Sequence, residues 1–420
     1  MIQEFSIDNY LSFGDKQLFS LVATSDKTLS EELIIEPKPG VRLLRLAMIY
    51  GANASGKSNL LNAIQSLWIM LFSPRENEHK GVQIYEPFEL RKGEPTSYGI
   101  TFWANGRKYE YQLVHDAGSI LYEKMTYTSD KGVQSDMYER KKGEAITFGS
   151  TLGIKAKQKD ELNKETLKNH TVLSTLNKKN LDVPPVVREL YEWIKSNVHE
   201  LGEYNDSRKI AGQAEENPKL KRMILELLRK ADLNISDFKL VTVSLPKEIS
   251  EEIIHNEELS EKAKERILAP TRQLLFTHQT SNSDFQIAFG MESAGTRAYL
   301  RLARLLYDLK DSGAVVMEDE LEDSLHYDLL LHYLQTYLQT YSKSQLLFST
   351  HNLLLLDESW MIRRDMVWFT EKERATASTH LYRASDMGLH KNVSLLNAYR
   401  IGKLGAKPIL GSTLLATDKL

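Results

Sequence analysis

The sequence predicts an α/β fold organised around a phosphate-binding loop. Residues 48–59 read M-I-Y-G-A-N-A-S-G-K-S-N and contain the G-x-x-x-x-G-K-[ST] pattern over 51–58. A short apolar run of buried-strand length precedes the loop, and apolar residues at helical spacing follow it over 60–71. Alternating strand patterns and then a long helical stretch come later in the chain. These observations together favour strands and helices in one α/β protein.

The strand–loop–helix order makes the loop a binding site for a polyphosphate. Backbone N–H groups and the positive end of the helix dipole converge at such a helix start and favour an anion. We expect Lys57 to reach the β- and γ-phosphates as a point charge, and the Ser58 hydroxyl to bind Mg²⁺. The residues predicted to contact the nucleotide here are Gly51, Asn53, Ala54, Ser55, Gly56, Lys57, Ser58 and Asn59.

Composition narrows the class of protein. A chain of 420 residues suggests two to three domains, or one large domain with an insertion. Its 54 basic and 57 acidic residues give a net charge of −3, which does not support coating of nucleic acid through bulk charge. The absence of cysteine excludes disulfides, thiolate metal sites and cysteine nucleophiles. Without a signal-peptide pattern or a long apolar run, we expect a cytoplasmic protein with no membrane partner.

The pattern of strands and helices divides the chain into four predicted segments. An Asn105-Gly106 pair between two alternating stretches is a strong hairpin signal and predicts an antiparallel β lobe near the phosphate loop. Helix formers then dominate and predict a helical insertion, interrupted by one strand at 238–245. The predicted segments are an N-terminal lobe of 1–150, a helical insertion of 151–270, a C-terminal lobe of 271–380 and a tail of 381–420.

The first part of the predicted insertion is basic. Seven lysines outweigh three acids there, and this excess predicts either a nucleic-acid or partner surface or an ordinary solvated helix face. The lysines are Lys155, Lys157, Lys159, Lys164, Lys168, Lys178 and Lys179.

Two further strands are predicted to end in chemically active residues. The stretch 313–320 reads G-A-V-V-M-E-D-E, a buried strand that ends in acids. We expect Asp319 to hold the Mg²⁺ shell and Glu320 to orient and polarise the attacking water. A second strand ends just before His351, which could contact a γ-phosphate, although a surface histidine is the alternative.

A second helix start suits a phosphate as well. The sequence E-S-A-G-T at 292–296 precedes a helical pattern, with Ser293 as a possible N-cap and Gly295 permitting close backbone approach. Thr296 completes the motif. One nucleotide cannot easily use two separate helix starts in a single subunit. We therefore expect a homodimer or higher oligomer in which this helix start completes a partner's nucleotide site.

The order of these motifs resembles the ABC-type ATPase heads of the SMC, RecF and OLD group. It is more similar still to the RloA, PtuA and AriA type of bacterial abortive-infection and antiphage ATPases. The resemblance implies a head with an antiparallel β lobe, a mixed central sheet and a helical insertion, which hydrolyses ATP with Mg²⁺. It also implies a role for each motif: Walker A at 51–58, the signature at Ser293–Thr296, Walker B and the catalytic glutamate at Asp319 and Glu320, the D-loop at 324–326 and the switch histidine at His351.

Some positions depart from this family pattern. Ala294 stands where ABC transporters usually carry glycine, and Glu318 occupies a Walker B position that is usually apolar. The Q-loop glutamine has Gln83 as its nearest candidate.

The resemblance leaves two functional classes open. OLD nucleases carry a Toprim domain after the ATPase, whereas here about 70 residues follow His351 and show no cluster of metal-binding acids. We therefore expect any nuclease or toxin to be a separate effector protein. This ATPase would then be the sensing or regulatory subunit of an antiphage pair and would control that effector. The alternative is a RecF-like ATPase of DNA repair or recombination that binds DNA directly. The motifs do not separate the two classes.

Overall fold

The computed structural model describes residues 1–72, 77–129, 132–178, 184–256, 258–311, 313–340 and 342–411. Lys179 of the basic stretch and residues 412–420 of the predicted tail lie outside this described part. The strands are β1 (Ile2–Asp8), β2 (Gln17–Ser20), β3 (Ile34–Lys38), β4 (Val41–Leu44), β5 (Leu46–Gly51), β6 (Thr96–Ala104), β7 (Arg107–His115), β8 (Ile120–Thr128), β9 (Gln134–Lys141), β10 (Thr147–Phe148), β11 (Ile235–Val243), β12 (Thr271–Gln279), β13 (Asp284–Ala288), β14 (Val315–Glu318), β15 (Gln345–Ser349), β16 (Val367–Lys372) and β17 (Thr379–Arg383).

The α-helices follow the same order along the chain. They are α1 (Ser30–Leu33), α2 (Lys57–Phe72), α3 (Ala156–Glu165), α4 (Val172–Lys178), α5 (Pro185–Asn197), α6 (Ser207–Glu216), α7 (Pro218–Lys230), α8 (Lys247–His255), α9 (Glu261–Leu268), α10 (Ala294–Asp311), α11 (Tyr327–Leu338) and α12 (Leu395–Arg400).

The chain forms two compact units. The first unit comprises Met1–Leu201, Asp311–Leu321 and Leu338–Leu420, and the second comprises Gly202–Lys310 and Glu322–Tyr337. The first unit thus contains the phosphate loop, the acidic strand end and His351, and the second contains the signature helix start. The boundaries of the four segments that the sequence analysis assigns, 1–150, 151–270, 271–380 and 381–420, stay a prediction.

The central sheet of the first unit has the order β14-β15-β5-β16-β17. The first four strands are parallel, and only β17 runs antiparallel to its neighbour β16. Every residue of β14, β15 and β5 is buried, as expected for parallel strands covered on both faces. Because these strands are parallel neighbours, the loops that follow them start at the same edge of the sheet.

A seven-stranded antiparallel sheet forms the second layer of the first unit, in the order β10-β9-β8-β7-β6-β1-β2. Its β6–β7 hairpin turns at Asn105-Gly106, where φ is 49° and 76°. Such positive φ values at both positions explain the Asn-Gly pair. The antiparallel β lobe and the mixed central sheet expected from the sequence are thereby confirmed.

At the start of β15, Gln345 links the central sheet to β1 of the seven-stranded sheet and to β4. Its Oε1 accepts from the Ile2 backbone N at 2.6 Å, and its Nε2 donates to the carbonyls of Ile2 and Leu44 at 2.9 and 3.0 Å. The side chain is fully buried, so its hydrogen-bonding groups are satisfied within the protein.

The second unit combines helices with the three-stranded antiparallel sheet β11-β12-β13. Helix formers fill most of 202–270, but β11 occupies Ile235–Val243, three residues before the predicted strand begins, and pairs along its length with β12. Helices α3 to α5, in contrast, lie within the first unit. None of the described helices combines the length and the apolar character needed to cross a membrane.

Candidate functional site

The phosphate loop lies between β5 and α2, where the backbone needs its two glycines. A Cβ atom on Gly51 would overlap the Ser55 and Thr370 hydroxyls, so a larger residue does not fit. Gly56 has φ +109°, a conformation that other residues rarely adopt, and Ala54 has φ 62°. The chain then enters α2 at Lys57. Its shape is therefore the anion-binding helix start that the sequence predicts.

Lys57 is held over this loop. Its side chain is buried, and Nζ donates to the carbonyls of Gly51 at 3.1 Å and Ala52 at 3.2 Å. Ser58, the next residue, is half-buried, whereas Asn53 and Ala54 are exposed. The ammonium group of Lys57 thus lies beside the loop on which a phosphate would bind.

Hydroxyl groups from distant parts of the chain brace the loop. Ser55 Oγ lies 2.6 Å from Thr370 Oγ1, and Thr379 Oγ1 donates to the Ser55 carbonyl at 2.8 Å. The Asn59 amide donates to Ser12 Oγ at 2.8 Å. Thr370, Thr379 and Ser12 belong to no motif, and only the folded chain brings them to the loop.

The acidic strand end is organised by Ser349, which the sequence analysis did not select. Ser349 Oγ donates to Asp319 Oδ1 at 2.5 Å and accepts from the Glu320 backbone N at 2.8 Å. Glu320 has φ 51°, the left-handed region that is uncommon for a residue other than glycine. One hydroxyl at the end of β15 therefore positions both acids at the end of β14.

His351 and Glu320 come together at this sheet edge. His351 Nε2 lies 3.5 Å from Glu320 Oε1, and both side chains are partly exposed. Glu318, the last residue of β14, is buried instead. The structure therefore gathers Asp319, Glu320 and His351, whereas Glu318 lies in the core of the sheet. Gln83 is half-buried, outside the strands and helices between α2 and β6.

The predicted signature residues begin α10 in the second unit. Ser293 Oγ accepts from the Thr296 backbone N at 3.0 Å, which is N-cap geometry, and lies 2.8 Å from Thr296 Oγ1. A Cβ on Gly295 would come within 3.2 Å of the carbonyl of Ser324, in the predicted D-loop. A small residue therefore lets the helix start and the D-loop pack closely.

A family described as "AAA domain, putative AbiEii toxin, Type IV TA system" matches residues 46–357, well over half of the chain. The chain belongs to this family. The matched region runs from the strand of the phosphate loop through Asp319, Glu320 and His351. The chain thus carries an AAA domain on an α/β fold.

Three solved structures resemble the chain at 11–14% identity. An Smc head bound to the C-terminal winged-helix domain of ScpA has 14% identity and a TM-score of 0.43, over 94% of this chain and 99% of that one. An SMC head domain from Thermotoga maritima has 12% identity and a TM-score of 0.39, over 91% of this chain and 98% of that one. An Smc head domain with an extended coiled coil, bound to the C-terminal domain of ScpA from Pyrococcus furiosus, has 11% identity and a TM-score of 0.38. The match covers 97% of this chain and 99% of that one. No curated protein matches the sequence.

Proposed function

We propose that this protein binds and hydrolyses ATP with Mg²⁺, and that it is the sensing or regulatory subunit of an antiphage system. The observation that carries the ATPase part is the convergence of a glycine loop, a buried lysine and the Asp319–Glu320–His351 group at one sheet edge. Ser349 holds the backbone of Glu320 and the carboxylate of Asp319 within 2.8 Å of one hydroxyl.

The described residues fit a nucleoside triphosphate. Gly51 packs so closely against the Ser55 and Thr370 hydroxyls that a Cβ does not fit, and this packing fixes the turn of the loop. Lys57 would exchange its two carbonyl partners for phosphate oxygens, a stronger charge-assisted contact. Ser58 and Asp319 supply the hard oxygen donors that Mg²⁺ prefers, and a bound Mg²⁺ would neutralise charge on the β- and γ-phosphates.

Hydrolysis also needs an oriented water molecule. Glu320 is partly exposed, and its Oε1 lies 3.5 Å from His351 Nε2. We assign to Glu320 the orientation and polarisation of the attacking water. His351 would contact the γ-phosphate and report its loss.

The proposed active form is a dimer. Ser293 precedes the 18-residue helix α10, and Gly295 and Thr296 lie in its first turn, where the positive end of the helix dipole suits a phosphate. In this proposal the helix start of one subunit completes the ATP site of the other, so that ATP joins two heads.

The biological role rests on likeness. The family description refers to an AbiEii toxin and a type IV toxin–antitoxin system, and the motif order resembles the RloA, PtuA and AriA type of antiphage ATPases. Both support control of a separate effector, such as a Toprim-like nuclease or a toxin, in the cytoplasm.

A RecF-like, DNA-binding ATPase is the second candidate function. The observation that favours it is the exposure of Lys155, Lys157 and Lys164 at and on α3. Exposed lysines on one short stretch can contact phosphate groups of nucleic acid.

The ATPase proposal is tested by nucleotide titration and phosphate release with and without Mg²⁺. Lys57→Ala should lose nucleotide binding, whereas the exposed-lysine control Lys92→Ala should behave like the parent. A parent protein that binds no ATP would refute the proposal.

The antiphage role is tested by phage plating on cells that carry the ATPase and its neighbouring genes. Equal protection by the parent and Lys57→Ala would count against that role, and tight DNA binding without protection would favour the second candidate.

A further inference from the structure

The C-terminal tail contributes to a cavity beside the phosphate loop. The cavity has a volume of about 660 Å³, within the range of small-molecule sites. Loop residues and tail residues line it together. Among the lining residues are Asn53, Ala54, His351, Lys372, Arg374 and Lys407.

Two tyrosines of the tail, Tyr382 and Tyr399, hold its segment 404–406 in place. Tyr382 Oη donates to the Leu404 carbonyl at 2.8 Å, and Tyr399 Oη donates to the Ala406 carbonyl at 3.1 Å. Gly405, between them, has φ +60°, and a Cβ there would lie 2.5 Å from Tyr382 Oη. Only glycine therefore permits this path, which places Lys407 at the cavity.

The same aromatic side chains connect the tail to the phosphate loop. The Phe369 ring stacks against Tyr382 and Tyr399, with centroids 5.8 and 5.9 Å apart. Its centroid also lies 6.0 Å from that of Tyr50, the residue before Gly51. The tail is thus packed, through one ring, against the strand that carries the loop.

The charge of the cavity favours an anion. Lys372, Arg374 and Lys407 line it, and Glu371 is the single acid among the described lining residues. The Glu371 Oε2 atom lies 3.1 Å from Tyr382 Oη. Lys407 Nζ donates to the Arg400 carbonyl at 2.7 Å, a neutral acceptor that an anion would outcompete.

We propose that Arg374 and Lys407 form an anion subsite for the terminal phosphate of ATP bound on the phosphate loop. The proposal rests on the ATP binding proposed above and names residues outside the familiar motifs. Its basis is that Asn53 and Ala54 of the loop open into the same cavity as these cations. ADP lacks the terminal phosphate, so the subsite should favour ATP over ADP.

Titration of the full-length protein with ATP and with ADP tests the subsite. Lys407→Ala and Arg374→Ala should each weaken ATP binding about tenfold, the scale of one charge-assisted hydrogen bond, and leave ADP binding within twofold. Lys407→Arg should retain the preference. Lys403→Ala is the matched control, because Lys403 lies on the same tail and is exposed but does not line the cavity.

Gly405→Ala provides a second test that removes no charge. It should displace the tail and reduce the preference for ATP as Lys407→Ala does, with thermal melting used to show that the head stays folded. If the parent binds both nucleotides and Lys407→Ala keeps the parental ATP-to-ADP ratio, or loses both equally, the subsite is overturned while ATP binding stands. If the parent binds neither nucleotide, the proposed function fails as well.

Discussion

His351 Nε2 lies 3.5 Å from Glu320 Oε1, and the two residues follow neighbouring parallel strands. The side chains are 39% and 56% exposed, so solvent screens the pair and its contribution to stability is small. The significance of the contact is geometric. It places an acid suited to orienting water beside a histidine suited to sensing a phosphate.

Glu320→Gln should trap an ATP-bound dimer. The amide can still occupy the site but cannot polarise water as a carboxylate does, so hydrolysis should fall on the order of a hundredfold or more. Sedimentation or light scattering with and without ATP measures the dimer. A monomer in the Glu320→Gln variant at saturating ATP would contradict the composite site.

Ser349→Ala should lower hydrolysis without abolishing nucleotide binding. Its hydroxyl bonds both Asp319 and the backbone of Glu320, and loss of such hydrogen bonds costs about 1–3 kcal/mol in positioning, or roughly ten- to a hundredfold in rate. The Mg²⁺ concentration for half-maximal rate should rise as well, because Asp319 loses its partner. Ser359→Ala, at an exposed serine, is the control. Parental rate and Mg²⁺ dependence in Ser349→Ala would remove the role given to this hydroxyl.

The motifs could be predicted from sequence because each is local. The phosphate loop, the acid pair and the Asn105-Gly106 hairpin each depend on a few consecutive residues whose backbone chemistry is characteristic. Ser349, Thr370 and Thr379 act instead through contacts with residues far away in the chain. A lone serine or threonine at a strand end carries no local signal for such a partner.

The strands of the second unit show the same limit. β11 was predicted as an interruption between helices, because its partner β12 lies beyond two intervening helices, α8 and α9. Pairing across such a distance is decided by tertiary packing, which a window of neighbouring residues does not contain.

Glu318→Ile should leave Mg²⁺-dependent hydrolysis within a few-fold of the parent. Glu318 is only 2% exposed, and strand alternation directs it to the face opposite Asp319. An isoleucine at this buried position also avoids the cost of burying a carboxylate. Steady-state phosphate release compared with Glu320→Gln decides the matter. A loss as large as that of Glu320→Gln would place Glu318 in the catalytic site.

Charge reversal at Lys155, Lys157 and Lys159 should alter binding of nucleic acid or a partner protein while basal hydrolysis stays largely intact. These lysines lie at the N-terminal end of α3, which contributes no residue to the phosphate loop or the acid pair. Fluorescence anisotropy with labelled DNA at two salt concentrations, and pull-down of the neighbouring gene product, measure binding. A matched reversal at Lys219, Arg222 and Lys230 of α7 controls for net charge. Lost hydrolysis with unchanged binding would reverse this assignment.

His115 should make the protein less stable as the pH falls from about 6.5 to about 4. Burial lowers the pKa of this imidazole from 6.5 to about 4, with a weaker opposing effect from the Asp116 carbonyl and carboxylate. Between these values the unfolded chain binds a proton that the folded protein excludes, so stability rises with pH in this window and is fully present above it. The lowering of the His115 pKa from 6.5 to about 4 corresponds to a loss of roughly 3 kcal/mol in the free energy of unfolding across this pH window.

His115→Phe tests this dependence, because a phenyl ring can keep the stacking on Tyr98, whose centroid lies 5.9 Å away. Urea unfolding at several pH values from 4.5 to 7 should show a shallower fall in unfolding free energy for His115→Phe than for the parent. His390→Gln, at an exposed histidine, should leave the parental slope in place. Equal slopes for the parent and His115→Phe would mean that His115 titrates alike in the folded and unfolded chain, and the acid sensitivity would then belong to other buried groups.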